Sequence, residues 1–393
     1  MKVLLVGNYK FDGSTSMQIW ANTLLRELRQ LEVDVKLISP RPVFGRIKKS
    51  ARGLGKWLGY IDRYVIFPRE LRAAAAQADI IHLCDHGSAV YAPMLNGKPV
   101  VVTCNDMIGV RGALGELPEI KASMTGKIFQ ARICRGLERA TRVACISQST
   151  YNDASRILKT NHNLRVILDG LNYPFQSVPA DEVDRRLAVL PVVPASFVLI
   201  VGANAANKNR EGMLRIFAKA AEGTNLHLVF AGEALSEDQL RLARELKIHG
   251  RIVQAIKPDV KVIEALYNRA VALLYPSLYE GFGWPPIEAQ ACGCPVVGSD
   301  IPPLREVLDQ SAVLRPVEDE TGMAVALQRL VFDPEFRDQM RQRGFRNVHS
   351  RFQTSRMMDE YVSLYREIAC QPVLPQRGAL RDSKETRNEM ENV

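Results

Sequence analysis

Twelve short apolar runs, arranged as two series of six, constrain this chain more than any other feature. The first series is KVLLVG (2–7), VDVKLIS (33–39), DIIHLC (79–84), PVVVTC (99–104), RVACIS (142–147) and LRVILDG (164–170). The second is SFVLIVG (196–202), NLHLVFAG (225–232), RIVQA (251–255), VALLYP (271–276), PVVGS (295–299) and AVLRP (312–316). These runs are apolar instead of alternating, the pattern of parallel strands buried on both faces with helices as crossovers. The fold class that follows is α/β, with two Rossmann-like, doubly wound parallel-sheet domains in series. Open parallel sheets bind ligands beyond the carboxyl ends of their strands, so two sheets facing one another make a cleft between domains.

Length and composition agree with that reading. At 393 residues and 47% hydrophobic, the chain can fill two cores, and a disordered or fibrous chain is excluded. The expected organisation is an N-terminal domain over 1–175, a proline-rich linker over 176–195 and a C-terminal domain over 196–352. A helix over 353–370 is expected to cross back to the first domain, followed by a charged, disordered tail over 371–393. The seven cysteines, at 84, 104, 134, 145, 292, 294 and 370, have neither the spacing of a disulfide framework nor that of a zinc site, so no metal is expected. The apolar run in the opening MKVLLVGNYK is too short for a signal peptide, and nothing approaches the ~18 apolar residues of a spanning helix. A cytoplasmic protein is expected.

The stretch PSLYEGFGWPPIEAQACGCPVVGSD (276–300) concentrates the chemistry. A strand delivers the chain to a glycine loop, and the paired prolines start a helix, because proline in a first turn forfeits no hydrogen bond. Gly281 and Gly283 allow the backbone close to a ligand. Free amides near Ile287, Glu288 and Ala289, together with the positive helix end, suit a phosphate. Glu280 lies in the loop and Glu288 is expected in the first helical turn, where a carboxylate either complements the dipole or accepts the vicinal hydroxyls of a ribose.

This stretch closely resembles the glutamate-x7-glutamate motif of retaining glycosyltransferases of the GT-B fold, particularly the bacterial family four, also called group 1. VILDGLN, IVGANAANKN, ALYNRAVALLYPS and SDIPPLREVLDQSAVL resemble its domain-boundary turn, its phosphate loop and the flanks of the motif. The resemblance implies two facing Rossmann-like domains and a nucleotide-sugar donor, GDP-mannose or a UDP-hexose. It assigns Glu280 to the donor sugar's hydroxyls, Glu288 to the ribose, and the amides from Phe282 to Ile287 to sugar and diphosphate. Lys208, six residues after Gly202, matches the family's phosphate-binding lysine, and Ile256 and Lys257 would lie beside the nucleobase. Where members carry arginine this chain has Ala203 and Asn207, which leaves Arg210 as the nearest substitute. Asn105 stands where the family commonly has a donor-contacting histidine. With no Asp-x-Asp in the chain, the implied reaction needs no metal and no other cofactor.

In the first domain, His86 follows a strand's carboxyl end, where it can orient a donor or acceptor hydroxyl. Residues 1–175 carry 25 Lys and Arg against 14 Asp and Glu, whereas the remainder carries 27 against 29. The excess concentrates in 41–72, where Lys48, Lys49, Arg52, Lys56 and Trp57 belong to a basic segment interleaved with Phe44, Tyr60, Tyr64 and Phe67. That composition suits an anionic membrane surface, making the protein peripheral at the inner membrane face, and no nucleic-acid motif accompanies it. The acceptor implied is lipid-linked or a polysaccharide. A non-catalytic GT-B scaffold is the alternative, prompted by Asn105 and the missing arginine. A nicotinamide oxidoreductase is disfavoured because VGNYKFDGSTS lacks the dinucleotide fingerprint.

Overall fold

A computed structural model of the chain describes residues 1–13, 15–47, 53–160, 162–190 and 196–370. Each apolar run forms a strand. The first sheet holds β1 (Lys2–Val6), β2 (Asp34–Ile38), β3 (Ile80–Leu83), β4 (Val100–Cys104), β5 (Arg142–Cys145) and β6 (Leu164–Val166), in the order β2-β1-β3-β4-β5-β6. The second holds β7 (Phe197–Gly202), β8 (His227–Gly232), β9 (Ile252–Ile256), β10 (Ala272–Tyr275), β11 (Val296–Ser299) and β12 (Val313–Arg315), in the order β12-β11-β10-β7-β8-β9. All pairings are parallel. Strand order therefore reverses between β1 and β3 in one domain and between β7 and β10 in the other, and these switch points are where such sheets open a crevice.

Both faces of each sheet are covered, which is why the strands carry no polar alternation. In β1, Leu4 and Val6 enter one core while Val3 and Leu5 enter the opposite one. In β7, Leu199 and Val201 face one core and Val198 and Ile200 the other. Flanking helices include α1 (Thr15–Gln30), α2 (Gly53–Ile61), α3 (Gln148–Ile157), α4 (Ala180–Leu187), α5 (Arg210–Ala220), α6 (Val260–Arg269), α7 (Trp284–Ala291), α8 (Pro302–Leu308) and α9 (Thr354–Ala369). The 176–195 segment contains α4, whose Val183 and Leu187 pack into the second domain's core; residues 191–195 of it lie outside the described residues. No helix among the described residues is long and apolar enough to cross a membrane.

Helix α9 follows the second domain in sequence but completes the first domain's core. Met357, Met358, Tyr361, Leu364, Tyr365 and Ile368 join Leu5, Trp20 and Leu24 in one cluster. A buried polar triad ties it down. His82 Nδ1 lies 2.6 Å from the Tyr365 hydroxyl and Nε2 lies 2.8 Å from Thr103 Oγ1, which is itself 3.1 Å from the Tyr361 hydroxyl. Complete burial pushes the His82 imidazole down to about 3, so it is neutral and can accept one bond while donating the other. The 371–393 tail lies outside the described residues.

Because Leu364 is fully buried in that shared cluster, Leu364→Ala is expected to destabilise the protein by about 2–5 kcal/mol. Urea unfolding measures this; a loss under about 1 kcal/mol would show that α9 is not part of the first core.

Candidate active site

The loop after β10 and the loop after β7 are joined before any ligand enters. Leu278 N donates to Asn207 O at 2.8 Å, Asn207 Nδ2 to Tyr279 O at 3.0 Å and Asn209 Nδ2 to Pro276 O at 3.1 Å. Asn209 sits at φ 56°, a left-handed conformation asparagine tolerates, and its side chain caps α5 by accepting from Gly212 N at 3.2 Å. This geometry carries Lys208 over the second loop. Its Nζ donates to Glu280 Oε1 at 2.6 Å and to the Tyr275 hydroxyl at 2.7 Å. Both charged groups are mostly shielded, with side chains 19% and 9% exposed, so the ion pair stands in a low-dielectric rim of the cleft.

Helix α7 begins at Trp284 with Gly283 at φ 116° as its N-cap. Among the described residues, no backbone carbonyl accepts from the amides of Gly281, Phe282, Gly283 or Trp284. Four donors thus collect where the helix dipole is positive, in a loop that Lys208 overhangs. Two expectations need correction. Pro285 and Pro286 have no N–H, and Glu288 and Ala289 lie within the helical ladder, so the free amides belong to the loop and the first helical residue. Glu288 is also one turn further along than expected. Instead of complementing the dipole it is 8% exposed, accepts from the buried Tyr267 hydroxyl at 3.0 Å and faces the Asn172 side chain. Burial pushes its carboxyl up to about 7, against the pull of those two hydrogen bonds. Phe282 and Ile287 are core residues, 3% and 0% exposed, so the side chain of neither faces the cleft.

Gly202, Gly232 and Ile256 are register neighbours at the carboxyl edge of β7, β8 and β9, with Lys257 at φ 46° immediately after and Ile256 exposed. That edge forms one continuous rim beside Lys208. Arg210, expected to reach a donor, does not face it. The guanidinium is committed to the carbonyls of Gly202, Glu233 and Ala234 at 2.9, 2.9 and 3.4 Å, and the residue is 3% exposed. It braces the strand-end loops.

The first domain closes the other side. Asn105 follows β4; it is 5% exposed, and neither polar atom of its side chain has a hydrogen-bond partner among the described residues. His86 lies 3.4 Å from Asp85, which also accepts from Gly87 N at 2.9 Å and from Asn8 Nδ2. Burial alone would lower the imidazole's pKa, but the Asp85 and Asp106 carboxylates outweigh it and hold His86 up at about 9, so a cation faces the cleft at neutral pH. Gly281 bridges the domains: a Cβ there would stand 1.9 Å from Asn105 O, and its carbonyl accepts from Ser147 Oγ at 2.6 Å. Glu306 of α8 reinforces the closure by accepting from the Gln148 and Ser149 amides at the start of α3, at 2.7 and 3.1 Å. Trp284 packs against Trp20, ring centroids 6.2 Å apart.

Sequence reasoning missed Asn8, Tyr275, Tyr267 and Asn172. Asn8 was open to detection as the polar residue just past β1, at the switch point. The tyrosines read as core aromatics, and they are buried; only the fold shows that their hydroxyls meet Lys208 and Glu288.

Of the expected membrane-surface residues, Lys48, Lys49 and Arg52 lie outside the described residues, as does the Lys56 side chain. Trp57 is exposed on α2 and shares a face with exposed Ile61 and Val65, spaced four apart, while Phe44 and Ile47 are exposed nearby in sequence. Phe67 instead fills the first core, and Tyr64 stacks on Tyr91 and Phe129, so the aromatic content of the segment is only partly superficial. Buried Asp62 pins 43–45 to this helical region by accepting from the Val43, Phe44 and Gly45 amides at 3.0, 2.9 and 2.9 Å.

Comparison with known proteins agrees with this geometry. The sequence profile for glycosyl transferases group 1 matches residues 191–347, and that for Glycosyltransferase Family 4 matches residues 17–173. The O-antigen chain mannosyltransferase RfbU of Salmonella typhimurium is 30% identical over 34% of this chain; the match spans only 38% of that relative's length. The fold is shared with sucrose-phosphate synthase from Thermosynechococcus elongatus, at TM-score 0.76 and 19% identity over 94% of this chain and 99% of that one. It is shared too with Anabaena HepE in complex with UDP and glucose, at TM-score 0.73 and 16% identity over 93% of this chain and 100% of that one. With residues 17–173 and 191–347 matched by the paired profiles and the two-sheet fold shared with these structures, the chain has the GT-B fold and belongs to the group 1, family 4 glycosyltransferases.

Proposed function

We propose that the protein transfers a hexosyl group from a nucleotide sugar, GDP-mannose or a UDP-hexose, to a hydroxyl of a lipid-linked or polysaccharide acceptor, with retention and without a metal ion. The observation that carries this is the Lys208–Glu280 pair, 2.6 Å apart, beside four amides, from Gly281 to Trp284, with no backbone acceptor among the described residues. The amides and Lys208 offer an anion site for the diphosphate, and Glu280 offers acceptor oxygens to the sugar it carries. Glu288 takes the ribose, and the rim at Ile256 and Lys257 takes the base. From the other domain, Asn105 has a donor and an acceptor to give to sugar hydroxyls, with the His86 cation alongside. The bond from the anomeric carbon to the phosphate oxygen breaks, the acceptor oxygen bonds that carbon from the same face, and the acceptor proton passes to the departing phosphate. Lys208 stabilises the charge that develops there. An O-antigen mannosyltransferase among the relatives and a bound UDP in a protein of the same fold support this reading.

The same reading places the protein in the cytoplasm, peripheral at the inner membrane face. The exposed stripe of Trp57, Ile61 and Val65, in the sequence segment 41–72 that carries the basic excess, would lie on an anionic lipid surface, each nearby cation contributing about 1 kcal/mol.

Incubation with a panel of UDP- and GDP-sugars and a lipid-linked glycan mixture is expected to give transfer that persists in excess EDTA; loss on chelation and rescue by magnesium would refute the metal-free chemistry. In the same assay Lys208→Ala should lower kcat about 100- to 1,000-fold, as removal of one donor at a developing anion does elsewhere. Sedimentation with anionic vesicles should fall as salt rises and fall again in Trp57→Glu. Binding indifferent to both would remove this face from the membrane.

A further inference from the structure

Glu288 presents a physical problem that the donor reading does not solve. A carboxylate that accepts two ribose hydroxyls must be ionised and correctly turned, yet this one is 8% exposed inside a mostly apolar core. An unassisted carboxyl in such a place takes up a proton. Two groups oppose that. The Tyr267 hydroxyl donates to Glu288 Oε2 at 3.0 Å, and Tyr267 is itself fully buried and packed on Phe175, ring centroids 5.8 Å apart. The Asn172 side chain faces Glu288 from the chain that passes between the domains. Asn172 is anchored in turn by the first domain, because its carbonyl accepts from Thr23 Oγ1 of α1 at 2.8 Å.

We propose that Tyr267 and Asn172 are positioning residues for the donor site: Tyr267 holds Glu288 Oε2, Asn172 faces the same carboxyl, and together they favour its ionised form and fix its orientation toward the ribose. This inference rests on the donor reading of Glu288. It adds a consequence, since Asn172 is fastened to α1, so the orientation of the donor carboxylate depends on how the two domains are joined.

The other ionisable groups near Glu288 do not reproduce this effect. Tyr275 from β10 and Cys292 on α7 keep their protons because burial raises both, and burial pushes Cys294, before β11, up to about 12. Glu264, on the same helix as Tyr267, is held by Arg186 and by the Gln176 amide at 3.0 Å. Removing a hydrogen bond to the ionised form therefore moves the Glu288 midpoint upward from about 7. Donor affinity is then lost at neutral pH and recovered in base.

The test is calorimetric titration of the intact protein with UDP-glucose and GDP-mannose, whose pyrophosphate diesters keep constant charge, from about pH 6 to about pH 9, a span that brackets a midpoint of about 7. Wild-type affinity should weaken as pH falls through about 7. In Tyr267→Phe the midpoint should rise by about one unit, so that binding at neutral pH drops about fivefold while binding at the alkaline limit stays within about threefold of wild type. Asn172→Ala should shift the midpoint in the same direction, and it serves as the deciding variant if Tyr267→Phe does not fold. Glu288→Gln should bind weakly with no inflection. A uniform loss across the pH range in both positioning variants, or an unmoved midpoint, overturns the inference. If Glu288→Gln binds either nucleotide sugar as wild type does at every pH, the donor reading itself fails.

Discussion

The missing side chain of Gly281 is the constraint on which the closed arrangement depends. Any Cβ at this position would overlap the Asn105 carbonyl, so the loop after β10 can lie against the first domain only because residue 281 has none. The close approach lets Ser147 and Thr150 reach the Gly281 carbonyl, at 2.6 and 3.3 Å. It also places Asn105 and the Lys208–Glu280 pair on opposite sides of one backbone segment. Glu306 at the start of α3 and Trp284 against Trp20 then add contacts that this approach makes available. Closure therefore brings this loop between groups of both domains.

Buried polar groups around this loop are of two kinds. Some are fully partnered: His82 has two partners, Asp62 has three backbone amides and the Tyr9 hydroxyl, and Arg210 has three carbonyls. Others have no hydrogen-bond partner among the described residues: both polar atoms of the Asn105 side chain and one Asn8 oxygen beside the loop, and the Asp169 oxygens and one Asn163 oxygen elsewhere in the first domain. Leaving a buried amide unpaired costs about 1–3 kcal/mol, which a ligand carrying hydroxyl groups would remove. The charges are graded as well. His86 is cationic between two carboxylates and Lys208 is already bonded to Glu280, so under the proposed reading a bound donor would exchange internal partners for ligand oxygens instead of meeting bare charge.

The sequence by itself determined the architecture: apolar runs and crossover spacing are local properties, and all twelve strands form where those runs lie. It also marked Glu280, Glu288 and Lys208, since a glycine loop before a proline-started helix is a local signal and the resemblance supplied the rest. What only the tertiary structure decided is which polar groups meet. Tyr267 and Tyr275 are apolar in pattern, and their hydroxyls acquire partners only when α6 packs on α7 and the loop after β7 lies over β10. Arg210 has the right sequence position to be a ligand-binding arginine, yet the approach of three strand-end carbonyls takes its guanidinium. Glu288 depends on Asn172, 116 positions earlier, and through it on Thr23, 149 positions earlier still. Side-chain hydrogen bonding is short-ranged in space and unrestricted in sequence, so pairings of this kind exist only once the chain has folded.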